Sequence, residues 1–352
     1  WMVDTDEFLE WCKETGTKPM FTVNFGTGTP EEAARWVEYT NKKKNASVVY
    51  WELGNELYGD WHPQYAKYGA DKGHAYGKRA REFIAAMKKV DPKIKIGVLG
   101  VLDGEWNENV LKYTADVADA LIIHHYPQHF GEENDFALLA SPQTLEGIYS
   151  RVRQSVKKLS PKKDLEIWLT EWNSVDFNPG PQSISLINGL FVADYLGMLA
   201  KLGTGSAQYW DIHNDITPEG GDYGYLSRSY EELIGGNKPR PSYYAFQMAS
   251  DGIRGKLVES NSGSTDLTTY LAVNGKKKAM LVINKNPYTA FKGTIKVPGF
   301  AGKAKVEVLA APKGQAAGKV IKIDPPKAST QDIKEGSAVT FPAHSITLIT
   351  IE

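Results

Sequence analysis

Two glutamates carry the chemistry that this sequence can offer. Glu56 closes the run Val48-Val49-Tyr50-Trp51-Glu52-Leu53-Gly54-Asn55-Glu56, and Glu171 lies in Leu165-Glu166-Ile167-Trp168-Leu169-Thr170-Glu171-Trp172-Asn173. Each run reads as a buried β-strand that delivers a carboxylate where its apolar stretch stops. Polar groups just past the C-terminal ends of buried parallel strands are where a β/α barrel keeps its reactive groups. Two such carboxylates suit the cleavage of a glycosidic bond, one as nucleophile and the other as proton donor. Retention of configuration needs them ~5–5.5 Å apart, and inversion needs a wider gap. The donor must hold its proton while the nucleophile is ionised, so their surroundings must differ. Asn55 adds an amide able to hydrogen-bond a sugar hydroxyl beside the reacting carbon.

The rest of the composition narrows the field. Lys+Arg 41 against Asp+Glu 42 leaves no charge excess to attract a polyanion, so nucleic acid is not an expected partner. No apolar run approaches the ~20 residues that span a bilayer. The opening residues show no basic segment followed by an apolar core, so no leader is expected within them. Cys12 is the only cysteine, which rules out a disulfide framework within the chain and a cysteine-rich metal site. The histidines of His124-His125-Tyr126-Pro127-Gln128-His129, with His213, lack a dependable metal-ligand spacing, so neither metal nor cofactor is expected. Nine tryptophans and eighteen tyrosines supply the flat aromatic surface that a sugar cleft uses.

Helices and strands alternate along the first 251 residues. An amphipathic helix over Asp4 to Glu14 closes at Gly16, and a strand follows over Pro19 to Asn24. Thr29-Pro30-Glu31-Glu32 reads as a capping box with proline in the first turn. Further helices are expected near Ala75 to Lys89, Asn109 to Val117, Leu145 to Leu159 and Ile184 to Leu202, the last stopped by Gly203. The other strands fall at Ile94 to Leu99, Ala120 to His124 and Ala207 to Asp211, beside the two glutamate runs. This alternation implies a parallel sheet of right-handed β/α units, but with roughly six strands where a closed barrel has eight. After Gly252 the helical period gives way to short alternating runs between turn clusters, which read as an antiparallel β-sandwich over 252–352. The expected fold is therefore α/β, an incomplete TIM barrel over 1–251 followed by that sandwich.

The strand ends Gly54-Asn55-Glu56 and Thr170-Glu171-Trp172 resemble the two catalytic strands of glycoside hydrolase clan A. In that clan the acid/base follows strand four and the nucleophile strand seven. Here they follow the second and fifth strands, so both landmarks place the chain's first strand at position three. Within the clan the sequence is most similar to family 51, which holds α-L-arabinofuranosidases and some endoglucanases. The likeness is carried by Thr5-Asp6-Glu7-Phe8-Leu9-Glu10-Trp11-Cys12, Val23-Asn24-Phe25-Gly26-Thr27-Gly28-Thr29-Pro30-Glu31-Glu32-Ala33, Trp51-Glu52-Leu53-Gly54-Asn55-Glu56, Trp172-Asn173 and Pro342-Ala343-His344-Ser345-Ile346-Thr347. The resemblance implies Glu56 as acid/base, Glu171 as nucleophile and a retaining, double-displacement mechanism. It makes Asn55 and Asn24 sugar ligands, and His124 and Tyr126 residues that line the subsite and orient the nucleophile, with Trp172 beside them. It also implies that barrel strands one and two precede residue 1, so that an oligomeric contact or a second chain is expected to cover the gap.

Two departures bear on the substrate. Thr170 stands where arabinofuranosidases of the family usually carry aspartate before the nucleophile. Trp210, in Gln208-Tyr209-Trp210-Asp211, resembles the stacking platform of β-glucan-cleaving members, and a pyranose offers it a flatter C–H face than a furanose does. The reading therefore leans toward an endo-β-1,4-glucanase or related β-1,4-glycanase of plant cell-wall polysaccharide. An exo-acting α-L-arabinofuranosidase is the alternative. A reading of another class is a carbohydrate-binding descendant of the barrel that no longer turns over. A polymer substrate would point to a secreted protein and the arabinofuranosidase reading to a cytoplasmic one.

Overall fold

The computed structural model describes residues 3–160, 164–228 and 235–352, which divide into two compact units. The first takes in the described part of Trp1–His124, Gly147–Thr170 and Thr204–Ala207. Its framework is a six-stranded sheet of β1 (Met20–Val23), β2 (Tyr50–Leu53), β3 (Lys95–Leu99), β4 (Ala120–His125), β6 (Glu166–Trp172) and β8 (Ser206–Tyr209), in that order. The two-residue strands β5 (Gln128–His129) and β7 (Val175–Asp176) lie outside it. β1 to β4 pair in parallel, each strand beside its successor, as right-handed crossovers produce. α1 (Thr5–Thr15) leads into β1, and the crossovers run through α2 (Pro30–Glu38), α3 (Tyr65–Tyr68), α4 (His74–Val90) and α5 (Glu105–Thr114).

The helix signals sit where the sequence placed them. Thr29 and Glu32 exchange side-chain bonds with each other's backbone N–H, and Asp4 does the same with Glu7. Gly16 ends α1 in the left-handed conformation, at φ 68°. Each of the two N-caps is worth about 1 kcal/mol. Beneath the helices, the fully buried Trp51, Tyr76, Phe83, Ile96, Val98 and Trp168 fill the unit's interior.

The sheet is curled. β3 and β4 separate β2 from β6, which would hold them ~14 Å apart in a flat sheet. Yet the Thr170 hydroxyl of β6 donates to Glu52 Oε1 of β2 at 3.1 Å. Such a bond is possible only if the strands wrap around a common axis, as in part of a barrel.

The second unit comprises His125–Glu146, Glu171–Gly203 and the described part of Gln208–Glu352. It holds α6 (Asp135–Ala140), α8 (Leu186–Leu202), α9 (Pro241–Gly252) and an antiparallel sandwich, while α7 (Leu145–Leu159) lies mostly in the first unit's range. The larger sandwich sheet has the order β14 (Lys327–Ile333), β13 (Gly302–Ala310), β16 (Ser345–Ile351), β11 (Lys277–Asn284), β10 (Leu267–Asn274), β9 (Lys256–Val258). The smaller sheet pairs β12 (Phe291–Thr294) with β15 (Ala338–Phe341). Leu271, Met280, Val282, Phe300, Val306 and Ile349 form part of the core between them.

Helix α8 lies directly on this sandwich. Buried Asp194 accepts from Tyr270 Oη at 2.6 Å and from Thr268 Oγ1 at 3.2 Å, and pairs with Lys285 at 3.3 Å. Gly197 makes the approach possible, because a Cβ there would meet the Tyr270 ring at 2.3 Å. Among the described residues no helix is long and apolar enough to cross a membrane.

Candidate functional site

The first unit places Glu56 in a defined polar setting. Gly54 turns the chain after β2 at φ 78°, where a Cβ would collide with Leu57 at 2.6 Å and Phe25 at 2.9 Å. Glu56 itself adopts φ 47°, a costly conformation for a non-glycine residue and one that concentrates at functional sites. His124 Nδ1 lies 2.8 Å from Glu56 Oε1, and Tyr58 Oη donates to the same oxygen at 3.2 Å. The Trp61 side chain also bonds the carboxyl. Burial pushes the Glu56 pKa up, but the bonds from His124, Tyr58 and Trp61 and the His124 charge outweigh it. The pKa therefore sits below the ordinary glutamate range.

Behind His124 runs a chain of hydroxyl and carboxyl groups. His124 Nε2 lies 3.2 Å from Thr170 Oγ1, and buried Glu52 accepts from Thr170 at 3.1 Å and from Thr22 at 3.1 Å. The single Thr170 proton is donated to Glu52, which leaves His124 Nε2 as the donor to Thr170. A neutral His124 then presents the Nδ1 lone pair to Glu56. The pair consequently shares one proton, held either on Glu56 or on Nδ1. Thr170, the departure noted in the sequence, is the bridge in this relay.

In the second unit Glu171 Oε1 accepts from Tyr126 Oη at 2.5 Å. The Tyr126 ring packs edge-on against Tyr223 at 6.4 Å. Burial pushes the Tyr223 pKa up, and the charges of Asp176, Glu171 and Asp211 add to it. Tyr223 arrives from the glycine-rich 220–224 loop, which a wholly buried Asp222–Arg240 pair at 2.5 Å anchors to the start of α9.

The remaining sequence candidates are dispersed in role. Trp210 is 42% exposed at the end of β8, with its N–H donated to Trp172 O at 3.0 Å and its carbonyl accepting from Asn173 Nδ2. Trp172 is wholly buried, stacked on Tyr195 at 4.5 Å and packed edge-on against Phe191 and Tyr209. Both of its ring faces look into protein, so its side chain shapes the strand end and offers no platform to a ligand. Asn55 is exposed. Asn24 is exposed too, and its Oδ1 accepts from Thr27 N and Oγ1, which shapes the turn after β1. Among the other histidines, His125 is buried 2.6 Å from Tyr195 Oη, and burial lowers its pKa to about 4. His129 pairs with Asp176 and His213 lies against Asn237.

Asp211 was not anticipated. It follows Trp210 through a cis peptide bond, and its Oδ1 is buried without a hydrogen-bond partner. Burial and the charges of Asp222 and Glu171 push its pKa from 3.8 up to about 6. A carboxyl whose folded pKa is raised stabilises the fold fully below pH 3.8, and this contribution is lost as pH rises through about 6. Asp211→Asn is therefore expected to raise stability at pH 7.5 by about 1–2 kcal/mol, after allowance for screening. At pH 3.5 it should change stability little. Thermal unfolding at both pH values checks this, and an equal gain at both would sink it.

Comparison with known proteins identifies the lineage. Residues 15–197, just over half of the chain, match the model described as glycosyl hydrolase family 79, N-terminal domain. The chain belongs to this family, within glycoside hydrolase clan A. The chain also resembles family 51. It is 31% identical over 239 residues to a probable α-L-arabinofuranosidase C of Aspergillus niger, covering 56% of this chain and 46% of that protein. It is 30% identical over 198 residues to an intracellular exo-α-(1→5)-L-arabinofuranosidase of Acetivibrio thermocellus, covering 49% and 38%. The chain thus spans less than half the length of either curated relative. Among solved structures, the α-L-arabinofuranosidase of Thermotoga maritima in its arabinose complex superposes with a TM-score of 0.82 at 25% identity, over 99% of this chain and 78% of that one.

Proposed function

We propose that the chain is a retaining glycosidase of the α-L-arabinofuranosidase type, with Glu171 as nucleophile and Glu56 as acid/base. The observation that carries this reading is the contrast between the two strand-end carboxyls. One shares a proton with an imidazole, and the other accepts a phenolic hydrogen bond. In the first step the ionised Glu171 attacks the anomeric carbon while the Glu56–His124 pair gives its proton to the departing oxygen. In the second step the same pair takes a proton from water, which displaces Glu171. Asn55, exposed beside Glu56, is assigned to a sugar hydroxyl, and Trp210 to the ring face of the sugar or its neighbour. Asn24 is kept as an outer ligand, whereas the buried Trp172 ring is given no contact with sugar. The six strands are read as strands three to eight of the clan barrel, in a catalytic region 1–251 that is followed in sequence by the sandwich 252–352.

The arabinofuranosidase relatives favour this reading over the endo-β-1,4-glucanase that the sequence leaned toward. That lean rested on Trp210 and on Thr170. Thr170 has its own reason to be polar, because it links Glu52 to His124. The test is product analysis on 4-nitrophenyl α-L-arabinofuranoside, arabinoxylan and soluble β-1,4-glucan. Nitrophenol and free arabinose support the proposal. Oligosaccharides from the glucan would favour the endoglucanase, and binding without release of any product would favour the non-catalytic descendant.

His124 offers a check on the proton-sharing pair. His124→Phe removes a bond and a charge that lower the Glu56 pKa, so that pKa should rise. In the native chain the basic limb of the kcat/KM profile reports loss of the proton that the pair shares, and in the variant it reports Glu56 alone, so the limb should move. Activity at the optimum should fall roughly ten- to a hundredfold as Glu56 loses its orientation. An unmoved basic limb would separate His124 from the acid.

A further inference from the structure

The loops after β4 and β6 build a second feature that the proposed chemistry does not use. β5 and β7 pair in parallel through Gln128↔Val175 and His129↔Asp176. His129 Nδ1 lies 2.6 Å from Asp176 Oδ1, and Gln128 Nε2 donates to Gln182 Oε1 at 2.6 Å. Gln128 Oε1 accepts from Asn134 N at 2.7 Å, and Glu133 Oε1 accepts from Gly180 N at 2.9 Å. This small ribbon is therefore tied down from both loops.

What it holds is a pair of open rings. Phe130 and Phe177 directly follow the two ribbon strands and meet edge-to-face at 6.2 Å and 85°, with exposures of 36% and 65%. Phe177 and Asn178 adopt φ 48° and 36° in succession. A bulky aromatic residue in the left-handed region is an outlier, maintained only where the surroundings over-determine it. The fold thus bears a backbone cost to keep a large apolar ring in water.

We infer that Phe130 and Phe177 form a stacking site for a pyranose ring of the substrate's backbone, beyond the sugar that Glu171 attacks. This rests on the glycosidase reading above. A flat C–H face on a phenyl ring, with polar groups at its rim, is how proteins hold a pyranose. The His129–Asp176 pair, 61% and 47% exposed in its side chains, supplies those rim groups. The patch lies within electrostatic reach of the candidate site, since the charges of Asp176, immediately before Phe177, and of Glu171 both push the Tyr223 pKa up. Two rings edged by a charged pair suit one sugar residue better than a protein surface.

The test titrates xylotetraose, as a linear pyranose probe, against the wild-type protein, Phe177→Ala and Phe130→Ala. Hydrolysis of 4-nitrophenyl α-L-arabinofuranoside is measured in parallel. Each alanine variant should bind xylotetraose roughly 5–10-fold more weakly, Phe177→Trp should restore the affinity, and turnover of the aryl substrate should stay within about twofold. Equal affinity in wild type and Phe177→Ala, or no binding by the wild type, would overturn the stacking site. Failure to turn over the aryl substrate would count against the glycosidase reading alone, because the titration reads the rings without turnover.

Discussion

Glu171→Gln is expected to lower turnover of aryl and natural arabinofuranosides on the order of 10⁴-fold or more, with the fold intact. The amide keeps the shape of the carboxylate and can still accept from Tyr126, which donates to Glu171 at 2.5 Å in the native chain. It cannot form the covalent glycosyl intermediate, so the double displacement has no first step. Removing one member of a concerted constellation commonly costs this much. Glu171→Ala adds a specific signature, because it leaves room for a small anion. Azide should restore activity on 4-nitrophenyl α-L-arabinofuranoside and accumulate as a glycosyl azide of inverted configuration, since it attacks the face that Glu171 occupied. A variant with full activity, or an azide product of retained configuration, would remove Glu171 from the role of nucleophile.

Much of the fold could be read from local pattern. The strands β1, β2, β4 and β6 are apolar runs that stop at polar strand ends, and the capping signals at Thr29, Gly16 and Gly203 mark true helix ends. The illegible parts are those where burial is one-sided or weak. β14 is exposed at every residue but Ile333, and the four-residue β12 alternates only between half-buried and exposed positions, so neither carries an apolar signature. The six-residue α6, capped by Asn134, is too short for its period to stand out in a polar loop.

The site divides along the same line. Glu56, Glu171, His124 and Tyr126 share a mark that sequence can show, a polar side chain at the end of an apolar strand. Glu52 bears a subtler sign, a lone charge inside a buried strand, and its partners Thr22 and Thr170 emerge only once the sheet curls. Trp172 misled because sequence gives alternation and not direction: one residue past Glu171, its ring turns to Tyr195 and the protein interior. Tyr223 and Asp211 come together only through the path of the 211–225 loop. There Asp211 N donates to Tyr223 O at 3.4 Å and Tyr225 N to Asp211 O at 3.2 Å. No local period encodes such a pairing.

The acid/base assignment has a sharper consequence than loss of activity. Glu56→Ala removes the proton donor and spares the nucleophile, so its effect must depend on the leaving group. Alkyl arabinosides and arabinoxylan need a proton on the departing oxygen and should lose about 10²–10⁴-fold in kcat/KM. A dinitrophenyl glycoside leaves without help and should lose far less in the first step. Its second step then becomes limiting, because water is no longer deprotonated as it attacks. Azide, which needs no base, should accelerate that step and yield a glycosyl azide of retained configuration, opposite to the product of Glu171→Ala. His124 and Thr170 should not reproduce this pattern, since they act through Glu56 and leave its carboxyl in place. If the loss in Glu56→Ala proves equal for good and poor leaving groups, Glu56 is a binding group. The proton would then have to come from elsewhere, and Asp211, raised to about 6 and beside Trp210, would be the first carboxyl to test.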